Sequence, residues 1–111
     1  MIHIDGYDIA VTLGDSMPLR IDLSGCYLPE GSSAVFTVKK RLRDEQPLVE
    51  KHCDASGEVV SLWLSPQDTD LPPGHYVWDV RLTMPMEDGV TEVFTPMDHA
   101  VLIILEAVGR V

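Results

Sequence analysis

The segment from Ser65 to Met84, SPQDTDLPPGHYVWDVRLTM, constrains the fold more than any other part of the chain. It contains a turn-forming stretch, a Leu-Pro-Pro-Gly break and then a run in which bulky apolar side chains alternate with polar ones. Proline cannot continue a helix, and period-two alternation is typical of a strand with one buried face. The side chains predicted to face the core are Tyr76, Trp78, Val80, Leu82 and Met84. The segment therefore predicts a half-buried strand in an antiparallel sheet.

Turn-forming residues recur at short intervals along the chain and separate runs that are typical of strands. We predict strands at about 7–13, 17–23, 34–42, 48–53, 58–64, 75–84, 90–95 and 98–107. No segment keeps a helical apolar period over three turns, and the only helix expected is a single turn near 66–70, capped by Ser65. Many short strands favour an all-β fold, either a sandwich or a barrel, that forms one domain over residues 1–111. Opposed apolar faces favour an antiparallel β-sandwich of about seven to eight strands.

Composition excludes two classes of partner. The chain of 111 residues carries a formal net charge of −10, which argues against nucleic acid because phosphate contacts require Lys and Arg. The longest apolar run, 100–105, is far too short to span a membrane, and no basic and apolar leader opens the chain. Two cysteines, Cys26 and Cys53, allow one disulfide, but their spacing does not show whether they meet, and a reducing cytoplasm favours free thiols.

No group of residues has the spacing of a catalytic or metal-binding motif. None of the four histidines stands three to five residues from another His or from a Cys. His52 and Cys53 are neighbours, but on a strand they point to opposite faces and make a poor chelate. Asp68-Thr69-Asp70 looks like half of a calcium loop, but the glycine at the sixth position and the glutamate at the twelfth are absent. The nucleophile elbow and the glycine-rich phosphate loops are absent too. We expect a protein that is not an enzyme, with no catalytic residue, cofactor or metal.

Two apolar features depart from the half-buried pattern. Trp63 is out of phase with Leu62 and Leu64, so its side chain is predicted to point away from the core. The last strand is apolar on both faces, which means that it is either covered on both sides by its own chain or packed against a partner. The residues that we predict at a protein interface are Trp63, Val101, Ile103 and Leu105.

Several short motifs follow one another in a characteristic order. They are Gly14-Asp15-Ser16 through Leu19, Phe36 to Lys40, Asp68-Thr69, Leu71-Pro72-Pro73-Gly74, Tyr76-Val77-Trp78-Asp79-Val80 and a terminal hairpin from Val90 to Glu106. This order resembles the N-terminal domain of the phage baseplate upper protein family, over most of the chain from about Ile9 to Glu106. The resemblance implies an immunoglobulin-like antiparallel β-sandwich.

The resemblance also implies a function. The expected role is that of a non-catalytic structural and assembly module of a phage or prophage tail, associated with a baseplate or fibre and acting through protein–protein packing. Its expected place is the virion tail, after synthesis in the bacterial host cytoplasm, and its expected partners are other phage structural proteins and further copies of the chain. The alternative is a carbohydrate- or other ligand-binding β-sandwich module, which needs an exposed aromatic platform that only Trp63, Tyr7 or Tyr27 could supply.

Overall fold

A computed structural model describes residues 8–23, 27–85, 89, 91–95 and 99–108 of the chain. These residues form eight β-strands and, within the same ranges, no helix. The strands are β1 (Ile9–Thr12), β2 (Met17–Asp22), β3 (Ser33–Lys39), β4 (Val49–Ser56), β5 (Val59–Leu64), β6 (Gly74–Pro85), β7 (Thr91–Phe94) and β8 (Ala100–Leu105). The predicted all-β fold is confirmed, and each predicted strand has its counterpart.

The strands form one mixed sheet in the order β1-β8-β6-β3-β4-β5-β2, to which β7 adds alongside β6. All neighbours are antiparallel except β1 and β8, which run parallel with Ile9 opposite Leu102. The prediction of a purely antiparallel arrangement was therefore wrong at this edge. Alternation of apolar and polar side chains is typical of antiparallel sheets as a whole, but it does not fix the direction of one particular strand pair at an edge.

Strand β4 belongs to two parts of the sheet. Its first residues, Val49–Cys53, pair with β3, and its last, Asp54–Ser56, pair with β5. We call β1, β8, β6, β3, β7 and the first part of β4 the large half, and β5, β2 and the last part of β4 the small half. Because the chain crosses between the halves inside one strand, both contribute side chains to the same core.

The core is a single cluster of apolar side chains that both halves share. Its buried members are Ile9, Val11, Leu19, Ile21, Leu23, Leu28, Ala34, Phe36, Val38, Val60, Leu64, Tyr76, Trp78, Val80, Leu82, Ala100, Leu102 and Ile104. Phe36 and Trp78 pack at its centre with their ring centroids 5.2 Å apart. Alternation along the strands predicts most of these residues, and Leu62 and Met84, which it also predicts to face the core, are only partly buried.

Two strand ends differ from the prediction for local reasons. Strand β3 stops at Lys39, earlier than expected, because the amide of Arg41 donates to Asp44 Oδ2 at 3.1 Å and closes a turn. Strand β4 continues through 54–56, where the sequence Asp-Ala-Ser-Gly had predicted a turn, and only Gly57 and Glu58 remain between Ser56 and Val59. Gly57 has φ 60°, as the first central position of a two-residue II′ hairpin turn requires.

The turn that leads into β6 is held by reciprocal hydrogen bonds. The amide of Asp68 donates to Ser65 Oγ at 3.2 Å, and the amide of Ser65 donates to Asp68 Oδ2 at 2.8 Å. Thr69 is buried, and its hydroxyl donates to the carbonyl oxygen of Asp15 at 2.7 Å. The expected cap by Ser65 is thus present, although the segment is a hydrogen-bonded turn and not a helix. Gly74, with φ 148°, then turns the backbone into β6.

Candidate functional site

Trp63 lies on the solvent side of the small half. It stands opposite Pro18 of β2, and its side chain is 54 % exposed. Its strand neighbour Leu64 is buried in the core, as the two-residue period of a strand requires. The predicted outward orientation of Trp63 is confirmed, and the residue presents a large apolar surface to solvent.

Strand β8 has one closed face and one open face. It is internal in the sheet, between β6 and β1, and Leu102 and Ile104 are buried in the core. On the opposite face Val101 and Ile103 are half-buried, and Leu105 at the end of the strand is 46 % exposed. Loops of the chain therefore do not fully cover the outer face of β8.

The structure does not bring the predicted interface residues together. Three strands, β6, β3 and β4, separate β8 from β5 in the sheet order. Trp63 is on the small half, whereas Val101, Ile103 and Leu105 are on the large half. The chain thus carries two separate surfaces. The surface of the large half contains both charged and apolar side chains.

We call the solvent-facing side of the large half its outer face. Strand register places polar side chains on this face in two adjacent rows that run across β6, β3 and β4. The Asp79 row is Asp79, Thr37 and Glu50, and the Arg81 row is Arg81, Val35 and His52. The two rows are two residues apart along each strand, a distance of about 7 Å, so side chains of opposite charge lie side by side.

The charged side chains of Asp79, Arg81 and Glu50 are unpaired among the described residues. In the part of the chain that the structure describes, no hydrogen bond or ion pair involves the side chains of Asp79, Arg81 or Glu50. Arg81 and Glu50 are exposed and Asp79 is half-buried. Their hydrogen-bonding capacity is therefore available to a second molecule.

A groove of about 380 Å³ opens over the two rows, next to the loop between β3 and β4. Its lining residues are Val35, Thr37, Lys39, Leu42, Glu45, Pro47, Glu50, Val77, Trp78, Asp79, Arg81 and His99. At its rim Leu42 is 58 % exposed. The groove combines apolar side chains with charges of both signs, and Trp78 in its lining is buried, so its ring is not exposed as a platform for a sugar.

A second concavity, of about 570 Å³, lies at the end of the domain where β1 and β8 finish. Its lining residues are Thr12, Leu13, Gly14, Asp15, Pro66, Gln67, Asp70, Ala107 and Val108. The titratable side chains in this set are Asp15 and Asp70.

Cysteine and metal chemistry receive no support from the described residues. Cys53 has a free thiol that donates to the carbonyl oxygen of Lys51 at 3.3 Å, and Cys26 lies outside the described residues, as do His3 and Tyr7. Burial raises the pKa of the Cys53 thiol, which keeps it in the weakly nucleophilic protonated form. Among the described residues, no three His, Cys, Asp or Glu side chains are close enough together to hold a metal ion.

One partly buried ion pair connects elements that are distant in sequence. Lys51 Nζ on β4 donates to Asp68 Oδ2 in the turn before β6. Partial burial acts to raise the pKa of Asp68, but hydrogen bonds from Lys51 and Ser65 outweigh it and leave this pKa below its usual value. The pair stabilises the turn, and no sequence signal reveals it because the two residues share no motif or strand.

Within the described ranges, no helix has the length and hydropathy to cross a membrane. Neither a family model, nor a curated protein, nor a solved structure matches this chain. Support for a function therefore comes from the surfaces described above and from the order of the sequence motifs.

Proposed function

We propose that this chain is a non-catalytic structural and assembly module of a phage or prophage tail, associated with a baseplate or fibre. It acts by packing against other proteins through the open faces of its strands. The observation that carries the proposal is the outer face of the large half, where unpaired charges lie beside half-buried apolar side chains on a regular sheet. Protein interfaces combine apolar and polar groups in this way, whereas an enzyme needs convergent reactive groups.

We further propose that the fold is an immunoglobulin-like sandwich. In that fold, strands B and E pair in one sheet, and strands C, F and G pair in the other. Here β2 pairs with β5, while β6 pairs with both β3 and β8, which supports the assignment of β2, β3, β5, β6 and β8 to B, C, E, F and G. The short strand β7, which pairs with the second part of β6, is an addition to that pattern.

The Leu-Pro-Pro-Gly motif also supports an immunoglobulin-like fold. Tyr76 lies near the start of β6, and its hydroxyl donates to the carbonyl oxygen of Pro72, four residues earlier. A tyrosine at the start of strand F that bonds back to the preceding backbone is a hallmark of immunoglobulin-like domains. The motif that suggested a phage tail module therefore has a structural role in fixing the entry to this strand.

The proposed place of the protein is the virion tail, after synthesis in the host cytoplasm, with other tail proteins as its partners. The test is mass spectrometry of particles purified on a density gradient after induction of the host. We expect the protein to be present in a constant ratio to the major tail protein in wild-type particles. A matched host from which the gene has been deleted is the control. Recovery of the protein only from the particle-free lysate would contradict the proposal.

A ligand-binding module is the second candidate, and the exposure of Trp63 favours it. The indole lies beside Pro18 on an open strand face, and Tyr27, which is 76 % exposed, is a second aromatic residue in solvent. An array of glycans tests this candidate, with Trp63→Ala as the matched variant. Binding that is lost in Trp63→Ala would support a carbohydrate-binding module, and equal signals from the two proteins would count against it.

A further inference from the structure

We propose that the outer face of the large half is a contact between two copies of this chain, packed face to face with twofold symmetry. The inference deepens the packing role proposed above and names the partner, a second copy. It does not depend on the assignment to a phage tail.

The two rows on this face are complementary to each other when a copy is turned over. Consider a twofold axis that lies in the interface, runs perpendicular to the strands and crosses β6 at the level of Val80. It makes the strands of the two copies antiparallel and places the Arg81 row of each copy over the Asp79 row of the other. Arg81 then meets the partner's Asp79, and this contact occurs twice because the interface is isologous. By the same operation, His52 meets the partner's Glu50.

The other simple orientation is disfavoured by the same charges. A twofold axis parallel to the strands would keep each row at its own level and place the Asp79 row over the partner's Asp79 row. With that axis over β3, Asp79 would lie over the partner's Glu50. With the axis over β6, Asp79 would lie over the partner's Asp79 and Arg81 over the partner's Arg81. Juxtaposed like charges at an interface cost several kilocalories per mole. The order of charges along β6 therefore selects the antiparallel orientation.

Apolar side chains on the neighbouring strands fit the same axis. Val101 of β8 stands opposite Val77, and Val93 of β7 stands opposite Thr83. On β6, Val77 lies three residues before Val80 and Thr83 lies three residues after it. The axis therefore places Val101 against the partner's Val93. Val93 is 54 % exposed, and Val101 is half-buried. The outer face is thus complementary to itself in apolar as well as charged contacts.

The size of the face indicates how stable such a dimer is. The four strand positions hold 12 residues in β6, 10 in β8 and β7 together, 7 in β3 and 5 in the first part of β4. At a spacing of about 4.8 Å and a rise of about 3.3 Å they give an area of about 540 Å² for each copy. The total of about 1,100 Å² is just below the usual range of specific interfaces. Each copy also has a net charge of −10, which opposes association. We therefore expect a reversible dimer that forms as the protein concentration rises.

Sedimentation velocity over a concentration series, in about 0.15 M salt to screen the net charge, tests the proposal. The average mass of the wild-type protein should rise from 12.3 kDa towards twice that value. The variants Arg81→Asp and Asp79→Arg should each dimerise with an affinity that is lower by about tenfold or more, because each places like charges together. An equimolar mixture of the two variants should regain the dimer, since every Asp of one variant then meets an Arg of the other.

The mixture is also the control for folding, because misfolded variants could not restore one another. Arg20→Asp, on an exposed position of the small half, is the matched charge reversal and should dimerise like the wild type. A wild-type protein that stays monomeric, a mixture that stays monomeric, or an equal loss in Arg20→Asp would each overturn the proposal. If the protein is a monomer but is found in purified particles, only the dimer is refuted. If the protein dimerises but is absent from particles, only the tail assignment is refuted.

Discussion

The carboxylate of Asp68 performs two structural tasks. It accepts the amide of Ser65, which closes the turn before β6, and it pairs with Lys51, which attaches that turn to β4. Because these bonds hold the pKa of Asp68 below its usual value, their stabilisation is complete above the unfolded-state pKa of about 3.9. It is lost as the pH falls through the lower, folded-state pKa.

We expect Asp68→Asn to lower the free energy of unfolding by about 1–2 kcal/mol near neutral pH, because Lys51 loses a partly buried partner. The deficit relative to wild type should shrink below about pH 4, where the wild-type carboxylate itself becomes protonated. Urea unfolding at a series of pH values measures both effects. Asp54→Asn, at an exposed position of β4, is the control. A deficit that stays constant down to strongly acidic pH would show that charge is not the cause.

The hydroxyl of Tyr76 can be tested separately from its ring. Tyr76→Phe keeps the buried ring and its contact with Lys40, whose Nζ lies 4.5 Å from the ring centroid, but removes the hydrogen bond to Pro72. We expect a loss of about 1 kcal/mol in the free energy of unfolding. Tyr27→Phe, at a residue that is 76 % exposed, should have no measurable effect. Equal stability of the two variants in a thermal or urea unfolding experiment would refute a role for the hydroxyl.

Strand β8 shows what a sequence pattern can and cannot predict about an element. Its apolar run located the strand to within two residues at each end, but a run that is apolar on both faces could not show which face is buried. That choice is made by the register with β6, in which Leu102 pairs with Tyr76 and shares its face. The parallel direction of β1 was equally out of reach, because an alternating pattern does not fix the direction of one particular strand pair at an edge.

The two faces of β8 allow a matched comparison. Ile104 is buried in the core, and Ile103, the preceding residue with the same side chain, is half-buried on the outer face. We expect Ile104→Ala to lower the free energy of unfolding by about 2–5 kcal/mol through lost burial and an internal cavity. Ile103→Ala should cost about 1 kcal/mol or less, since it removes a smaller buried area and leaves no enclosed cavity. Equal losses in chemical denaturation would mean that both faces of β8 are covered.

The candidate site was less predictable than the strands. Trp63 could be found from its phase relative to Leu62 and Leu64, because that signal is local. The rows of the outer face could not be found from the sequence, since Asp79, Thr37 and Glu50 come from three strands and become neighbours only through the pairing register of those strands. The pair of Lys51 and Asp68 depends in the same way on tertiary structure. Prediction from sequence therefore works here for features within one strand and fails for those between strands.

The described residues form one core that both halves share, and of the two tryptophans one lies in that core and one on the surface. Trp78 is 1 % exposed at the centre of that core, whereas Trp63 is 54 % exposed. Because β4 runs through both halves, we infer that they unfold together as one cooperative unit. The two indoles provide a means of testing this inference, since their fluorescence responds to different parts of the molecule.

In Trp63→Phe, the remaining fluorescence should be blue-shifted and resistant to quenching by acrylamide, because Trp78 is buried. In the matched variant Trp78→Phe, the emission of Trp63 should be red-shifted and readily quenched. Denaturant titration of Trp63→Phe should give the same midpoint by fluorescence and by far-ultraviolet circular dichroism, as a two-state transition requires. Two separate midpoints would show that the halves unfold independently and would contradict the shared core.

The parallel pairing of β1 with β8 has a mechanical consequence. The chain enters β1 at Ile9 at one end of this strand pair, and it leaves β8 at Leu105 at the opposite end. Tension applied through the chain before Ile9 and the chain after Leu105 therefore pulls the strands lengthwise past each other. The inter-strand hydrogen bonds are then loaded together in shear, whereas a strand peeled from its neighbour would lose them one after another. Forced unfolding is governed by the unfolding rate, so this geometry lets a small domain resist tension along its strands for longer than its equilibrium stability alone would indicate.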